Sequence, residues 1–125
     1  MKKIWSMLVL ASGLAVTACS PASGPPAGTS SNSAAVSTLQ KVNSQAHACW
    51  LKDSAFADYG IVPELDTTST PRLLLIPRGK PQALPRAVIV ASAGTAQFYG
   101  PLSASPMADR INSDISRWAS GGSGC

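Results

Sequence analysis

Residues 20–35, SPASGPPAGTSSNSAA, hold no charge, no aromatic ring and no side chain larger than proline or asparagine. Such a stretch cannot bury enough apolar surface to offset chain entropy, and it predicts a disordered tether with a reach of roughly 20–25 Å. Any core must therefore come from residues 36–125. A region of that size makes one small domain, with little stability to spare from burial alone.

Ahead of the tether lies a leader. Lys2 and Lys3 form a positive start, and Ile4 to Val16, IWSMLVLASGLAV, supplies an apolar core. The run is interrupted by Ser6, Ser12 and Gly13 and falls short of the ~20 residues of a membrane span, so it reads as a signal segment over residues 1–18. Loss of the two leader lysines lowers the formal charge from +4 to +2. The mature chain is then only mildly basic, which gives no nucleic-acid footprint.

Val16-Thr17-Ala18-Cys19 resembles the lipobox of bacterial lipoproteins: an aliphatic residue, a small residue or threonine, Gly/Ala/Ser, then cysteine. The resemblance covers the leader and the first residues after it. It implies that Cys19 becomes the first residue of the mature protein and carries a diacylglyceryl group on its sulfur and an acyl group on its amine. Two or three acyl chains suffice for stable anchoring. Ser20, in place of aspartate, implies export to the outer membrane with the domain facing the periplasm. Val16 and Ala18 also meet the small-residue rule of ordinary signal peptidase, which would cut the same bond and leave a thiol. The chemistry on the sulfur separates the two.

With Cys19 assigned to lipid, Cys49 and Cys125 remain. An even remainder in an oxidising compartment predicts a disulfide. That bridge would close a loop of about 75 residues and contribute on the order of 4 kcal/mol.

Within residues 36–125, Val36, Leu39, Val42, Ala46, Cys49 and Trp50 recur at three- and four-residue steps and predict a helix, with Ser33 as its N-cap. His47 projects away from that stripe. Ile61-Val62, ending at Pro63, RLLLI at 72–76, RAVIVA at 86–91 and Ala96–Tyr99 read as strands. The connection from Pro77 to Pro85 holds three prolines and Gly79 and must be loop. A last helix follows, with Ser105 as cap, Pro106 in the first turn and Gly121 as terminator. Its residues Met107, Ile111, Ile115 and Trp118 fall within an arc of about 80°. The order predicts an α+β fold: helix, three or four antiparallel strands, helix, with both helices on one sheet face.

Candidate chemistry is sparse. His47 is the sole imidazole, and on a helix it does not face Cys49 two residues on. No cysteine–histidine cluster or calcium-loop spacing suggests a metal, and no glycine-rich loop suggests a phosphate cofactor. Asp53 with Asp58, or Glu64 with Asp66, are carboxylates flanking turns rather than an acid/base pair. Arg72, Arg78, Lys80 and Arg86 occupy fifteen residues without an intervening acid. They form a possible anion-facing patch for phospholipid headgroups or an acidic partner, or else keep strand edges soluble. The aromatic residues Trp50, Phe56, Tyr59, Phe98, Tyr99 and Trp118 fit either a core or a ligand groove.

The expectation is a non-enzymatic, lipid-anchored envelope protein without cofactor, metal or nucleic-acid partner, acting as a binding or accessory module for another envelope protein. The alternative is a small periplasmic ligand-binding or inhibitory domain whose aromatic residues form the pocket.

Overall fold

The computed structural model describes residues 27–66 and 68–125. The leader, Cys19 and the first part of the expected tether lie outside the described residues. Helix α1 spans Ala27–Cys49, and single 3₁₀ turns follow at Trp50–Lys52 and Ser54–Phe56. Four strands come next, β1 (Tyr59–Glu64), β2 (Arg72–Pro77), β3 (Ala87–Ser92) and β4 (Thr95–Tyr99). A 3₁₀ turn at Pro101–Ala104 leads into helix α2, Ala108–Ala119. The sheet is an antiparallel meander in the order β1-β2-β3-β4, so the α+β fold class holds, with four strands.

Two boundaries differ from expectation. Helix α1 begins at Ala27, inside the stretch expected to be tether, so Ser33 is an interior residue rather than a cap. Small alanines cost nothing in helix propensity, and tertiary contacts carry the extension: Ala35 is buried, and Asn32 Nδ2 donates to the Ser69 carbonyl at 3.4 Å. Strand β1 runs through Pro63 to Glu64, with Pro63 opposite Leu73. It pairs only with β2, and an edge strand tolerates a residue without an N–H.

The period-two pattern of the strands divides the sheet into two faces. Leu73 and Leu75 of β2 and Ala87 and Ile89 of β3 point to the helical side. There they meet Leu39, Val42 and Ala46 of α1 and Ile111, Ile115, Trp118 and Ala119 of α2. Both helices thus cover one face. On the other face Leu74, Ile76 and Val88 form a smaller cluster with Val62 and Val90.

Three aromatic rings set the end of the main core. Trp50 stacks on Phe56 with centroids 4.7 Å apart and planes 10° from parallel, and Trp118 lies tilted 5.2 Å from Trp50. Such pairs contribute about 0.5–1.5 kcal/mol beyond the area they bury.

Helix α2 keeps its expected terminator but not its expected cap: it starts at Ala108 with Met107 in the N-cap position, so Ser105 and Pro106 belong to the turn before it. Ser105 Oγ accepts from the Met107 N–H at 3.2 Å. At the far end Gly121, with φ 100°, donates to the Trp118 carbonyl at 3.1 Å and Gly122 donates to the Arg117 carbonyl at 2.8 Å. That pair of bonds is a Schellman motif, which needs a left-handed residue at Gly121. It turns the tail back along α1. There Gly124 donates to Gln45 Oε1 at 2.9 Å, and its carbonyl accepts from Arg117 Nη2 and Trp118 Nε1, each at 3.0 Å. The tail delivers Cys125 to Cys49 as a disulfide, with Cα atoms 5.4 Å apart and a sequence separation of 76. The pairing follows the expectation.

Candidate functional site

The four cations expected to form one patch separate in space. Arg72 opens β2 opposite Glu64 of β1, and its Nε lies 2.6 Å from Glu64 Oε2. That partner holds the guanidinium above its ordinary range, by hydrogen bonding first and charge second. The pair sits at the end of the sheet that carries the β1–β2 loop. Arg78, Lys80 and Arg86 lie at the opposite end, on the β2–β3 loop, all exposed. Among the described residues no carboxylate pairs with these three. The patch therefore reduces to Arg78, Lys80 and Arg86.

Backbone bonds order this loop. Arg78 N–H donates to the Asp58 carbonyl at 2.8 Å, and Arg86 N–H donates to the Leu75 carbonyl at 2.7 Å, closing both ends. Between them the Lys80 N–H returns to the Pro77 carbonyl at 3.1 Å and the Ala83 N–H to the Lys80 carbonyl at 3.0 Å. Gly79 takes φ 75° at the third position of the first turn, the left-handed conformation that a type II turn requires. Pro81 sits at the second position of the next, where its fixed φ is pre-set. At the tip Leu84 is 85% exposed. Sequence reading missed Leu84; its signal was an apolar residue in a proline-bounded loop, with no periodic partner to bury it against.

The aromatic set does not line a groove. Trp50, Phe56 and Trp118 are at most 1% exposed, and Tyr59 and Phe98 pack against the same core. Tyr99 is exposed on the other face of the sheet. A shallow cleft of about 460 Å³ lies between α1 and the C-terminal tail, lined chiefly by Lys41, Ser44, Gln45 and the backbone of residues 121–123. Trp118, buried beneath it, is already hydrogen-bonded to Gly124.

The groups considered for acid/base work are separately engaged. Asp53 Oδ1 accepts from the Ala55 N–H at 2.8 Å, and Oδ2 pairs with Arg110. Asp66 accepts from the Thr68 N–H at 2.8 Å. These bonds, the backbone N–H first in each case, hold both carboxyls below their ordinary range, opposite to what a general acid needs. Glu64 is occupied by Arg72, and His47 is exposed on α1 away from the core. Among the described residues no group of three or more His, Cys, Asp or Glu could hold a metal ion. No helix among them is long and apolar enough to cross a membrane.

One polar centre escaped the sequence reading. Asp114 of α2 is buried, and its Oδ2 accepts from Trp50 Nε1 at 2.8 Å. Arg117 reaches Oδ1 at 3.1 Å and Arg110 Nε lies 3.6 Å from Oδ2. Arg110, 40% exposed at its side chain, bridges Asp53 and Asp114, with its guanidinium 5.1 Å above the Phe56 ring. The network locks α2 to the turn after α1. No protein-family model, curated protein or solved structure matches the chain.

Proposed function

We propose that the protein is a lipid-anchored cell-envelope protein, a non-enzymatic binding or accessory module that faces the periplasm from the outer membrane. The observation that carries the reading is the Cys49–Cys125 bridge. It occupies two of the three cysteines and leaves Cys19, the residue of the lipobox-like stretch, as the remaining thiol for acylation. A bridge that spans nearly the whole domain also fits an oxidising compartment. The chain's own chemistry supports binding over catalysis, since its candidate acids and its histidine are held apart or tied to structural partners.

In this reading Cys19 anchors, and the link to α1 is short. Residues 20–26 span at most about 25 Å when fully extended, so the folded domain stays near the surface to which it is attached. The test compares wild type with Cys19→Ala by membrane fractionation and fatty-acid labelling. Wild type should fractionate with membranes and take up label; the variant should be soluble and unlabelled. A Cys19→Ala protein that stays with membranes, or an unlabelled wild type, would sink the anchor.

A further inference from the structure

We infer that the β2–β3 loop is a docking site for an acidic protein surface, with Leu84 as apolar anchor and Arg78, Lys80 and Arg86 as the charges around it. The inference deepens the anchored-module reading and rests on it for the direction in which the loop points.

Three observations converge on this loop. Leu84 presents its side chain to water at 85% exposure, an unusual position for a leucine in a loop otherwise rich in proline and cations. Arg78, Lys80 and Arg86 share the loop with it and have no carboxylate partner among the described residues, Arg78 Nη2 donating instead to the Tyr59 carbonyl at 3.3 Å, in a stretch without an acid between Asp66 and Asp109. The loop is also pre-ordered by its two consecutive turns and the backbone bonds that close its ends. A rigid loop loses little entropy on binding, and an exposed apolar residue on the same loop as several like charges pairs anchoring with steering.

Topology then favours a protein partner over the bilayer. The start of α1 lies beside the β1–β2 loop, where Asn32 meets Ser69, and six residues further on Thr38 Oγ1 accepts from the Gly94 N–H of the β3–β4 turn at 3.2 Å. Both of those turns lie at one end of the sheet, and in a meander the β2–β3 loop lies at the other. Strands of six residues put about 20 Å between the two ends. A tether entering at Ala27 therefore holds the Asn32 end toward the membrane and presents Leu84 at the far pole.

The test uses the purified full chain bearing Cys19→Ala, in solution, so its outcome does not depend on acylation. The probe is a fluorescein-labelled, glutamate-rich peptide carrying leucines, read by anisotropy beside a glutamine-for-glutamate peptide of equal length. The acidic peptide should bind, and raising salt from about 50 to about 300 mM should weaken it at least tenfold. Leu84→Ser should weaken it about tenfold, and Lys80→Glu with Arg86→Glu should remove measurable binding. All variants should retain the near-ultraviolet circular dichroism of Trp50 and Trp118. Equal affinity for both peptides, or indifference to Leu84→Ser, overturns the proposal. So does binding to phosphatidylglycerol vesicles that the double reversal abolishes while the acidic peptide fails, since that assigns the loop to lipid. Loss of membrane fractionation by wild type would instead remove the anchor and leave the peptide result standing.

Discussion

Replacing Asp114 by alanine removes the acceptor of the Trp50 indole and both of the shared arginine contacts in one step. The indole bond is buried at 2.8 Å, and Trp50 is 1% exposed. An indole N–H left there without a partner costs about 1–3 kcal/mol, and a bond to a charged acceptor lies at the upper end of that range. Arg110 and Arg117 are 40% and 38% exposed at the side chain, so their pairs with Asp114 are heavily screened and add only about 0.3–0.5 kcal/mol each. The sum is about 2–4 kcal/mol, or roughly 10–20 °C in melting temperature for a domain of this size. Asp114→Asn keeps an acceptor for Trp50 and should lose about half as much. Urea unfolding followed by Trp fluorescence measures each variant. A double-mutant cycle with Trp50→Phe isolates the pair, with an expected coupling of about 1–2 kcal/mol. If Asp114→Ala costs less than about 0.5 kcal/mol, or Asp114→Asn costs as much as alanine, the buried hydrogen bond is not what holds α2 to the turn after α1.

Three further outcomes follow from the same structure. Cleaving Cys49–Cys125, by Cys49→Ala with Cys125→Ala, should cost about 4–5 kcal/mol from the 76-position closure alone; peptide mapping without reductant should find the two cysteines in one linked product, and alkylation of both would refute the bridge. Gly122→Ala places a methyl 2.7 Å from Arg117 Cγ and 2.8 Å from the Arg117 carbonyl oxygen, so it should destabilise by about 1–3 kcal/mol in a thermal melt. Asp53 and Asp66 bind protons more weakly folded than unfolded, held down by the Ala55 and Thr68 N–H groups. Their contribution is therefore present above the unfolded value near 3.8 and lost as pH falls through the lower folded values. The urea midpoint should fall on acidification, and Asp53→Asn should flatten that acid limb; an unchanged limb would remove Asp53 from the account.

How far the sequence carried depends on whether a residue's neighbour is local. RLLLI and AVIVA are apolar at both parities, and both faces of β2 and β3 are buried. The stripe Met107, Ile111, Ile115 and Trp118 packs inward as its spacing requires. Asp114 was legible in principle. At about 100° per residue it falls only about 20° outside the arc of that stripe, next to Met107, and a carboxylate bordering an apolar stripe must find a donor when the stripe is buried. That donor, Trp50, lies 64 positions away on another element, and no local pattern names it. The start of α1 was hidden for a related reason. Ser, Thr, Asn and Ala at 29–35 read as tether by composition, but Ala35 and Thr38 are buried and Thr38 accepts from Gly94.

The basic cluster shows why adjacency in sequence misleads about a surface. Arg72 opens β2 and Arg78 follows its last residue, six positions on, and a strand keeps its ends apart by about 3.3 Å per residue. The meander then decides which charges meet. Register places Arg72 opposite Glu64, because β1 and β2 pair from Tyr59↔Pro77 to Glu64↔Arg72. The next hairpin returns at Leu75↔Ala87 and so brings Arg86 back beside Arg78 and Lys80 at the other end. A one-residue slip of β1 would move Glu64 out of line with Arg72 and also turn Ile61 from the core to the opposite face. Packing of the half-buried Ile61 against the main core thus favours this register, and the register neutralises Arg72. The charges left over collect where the loop already displays Leu84, so the same packing that closes the core selects which cations remain available to a partner.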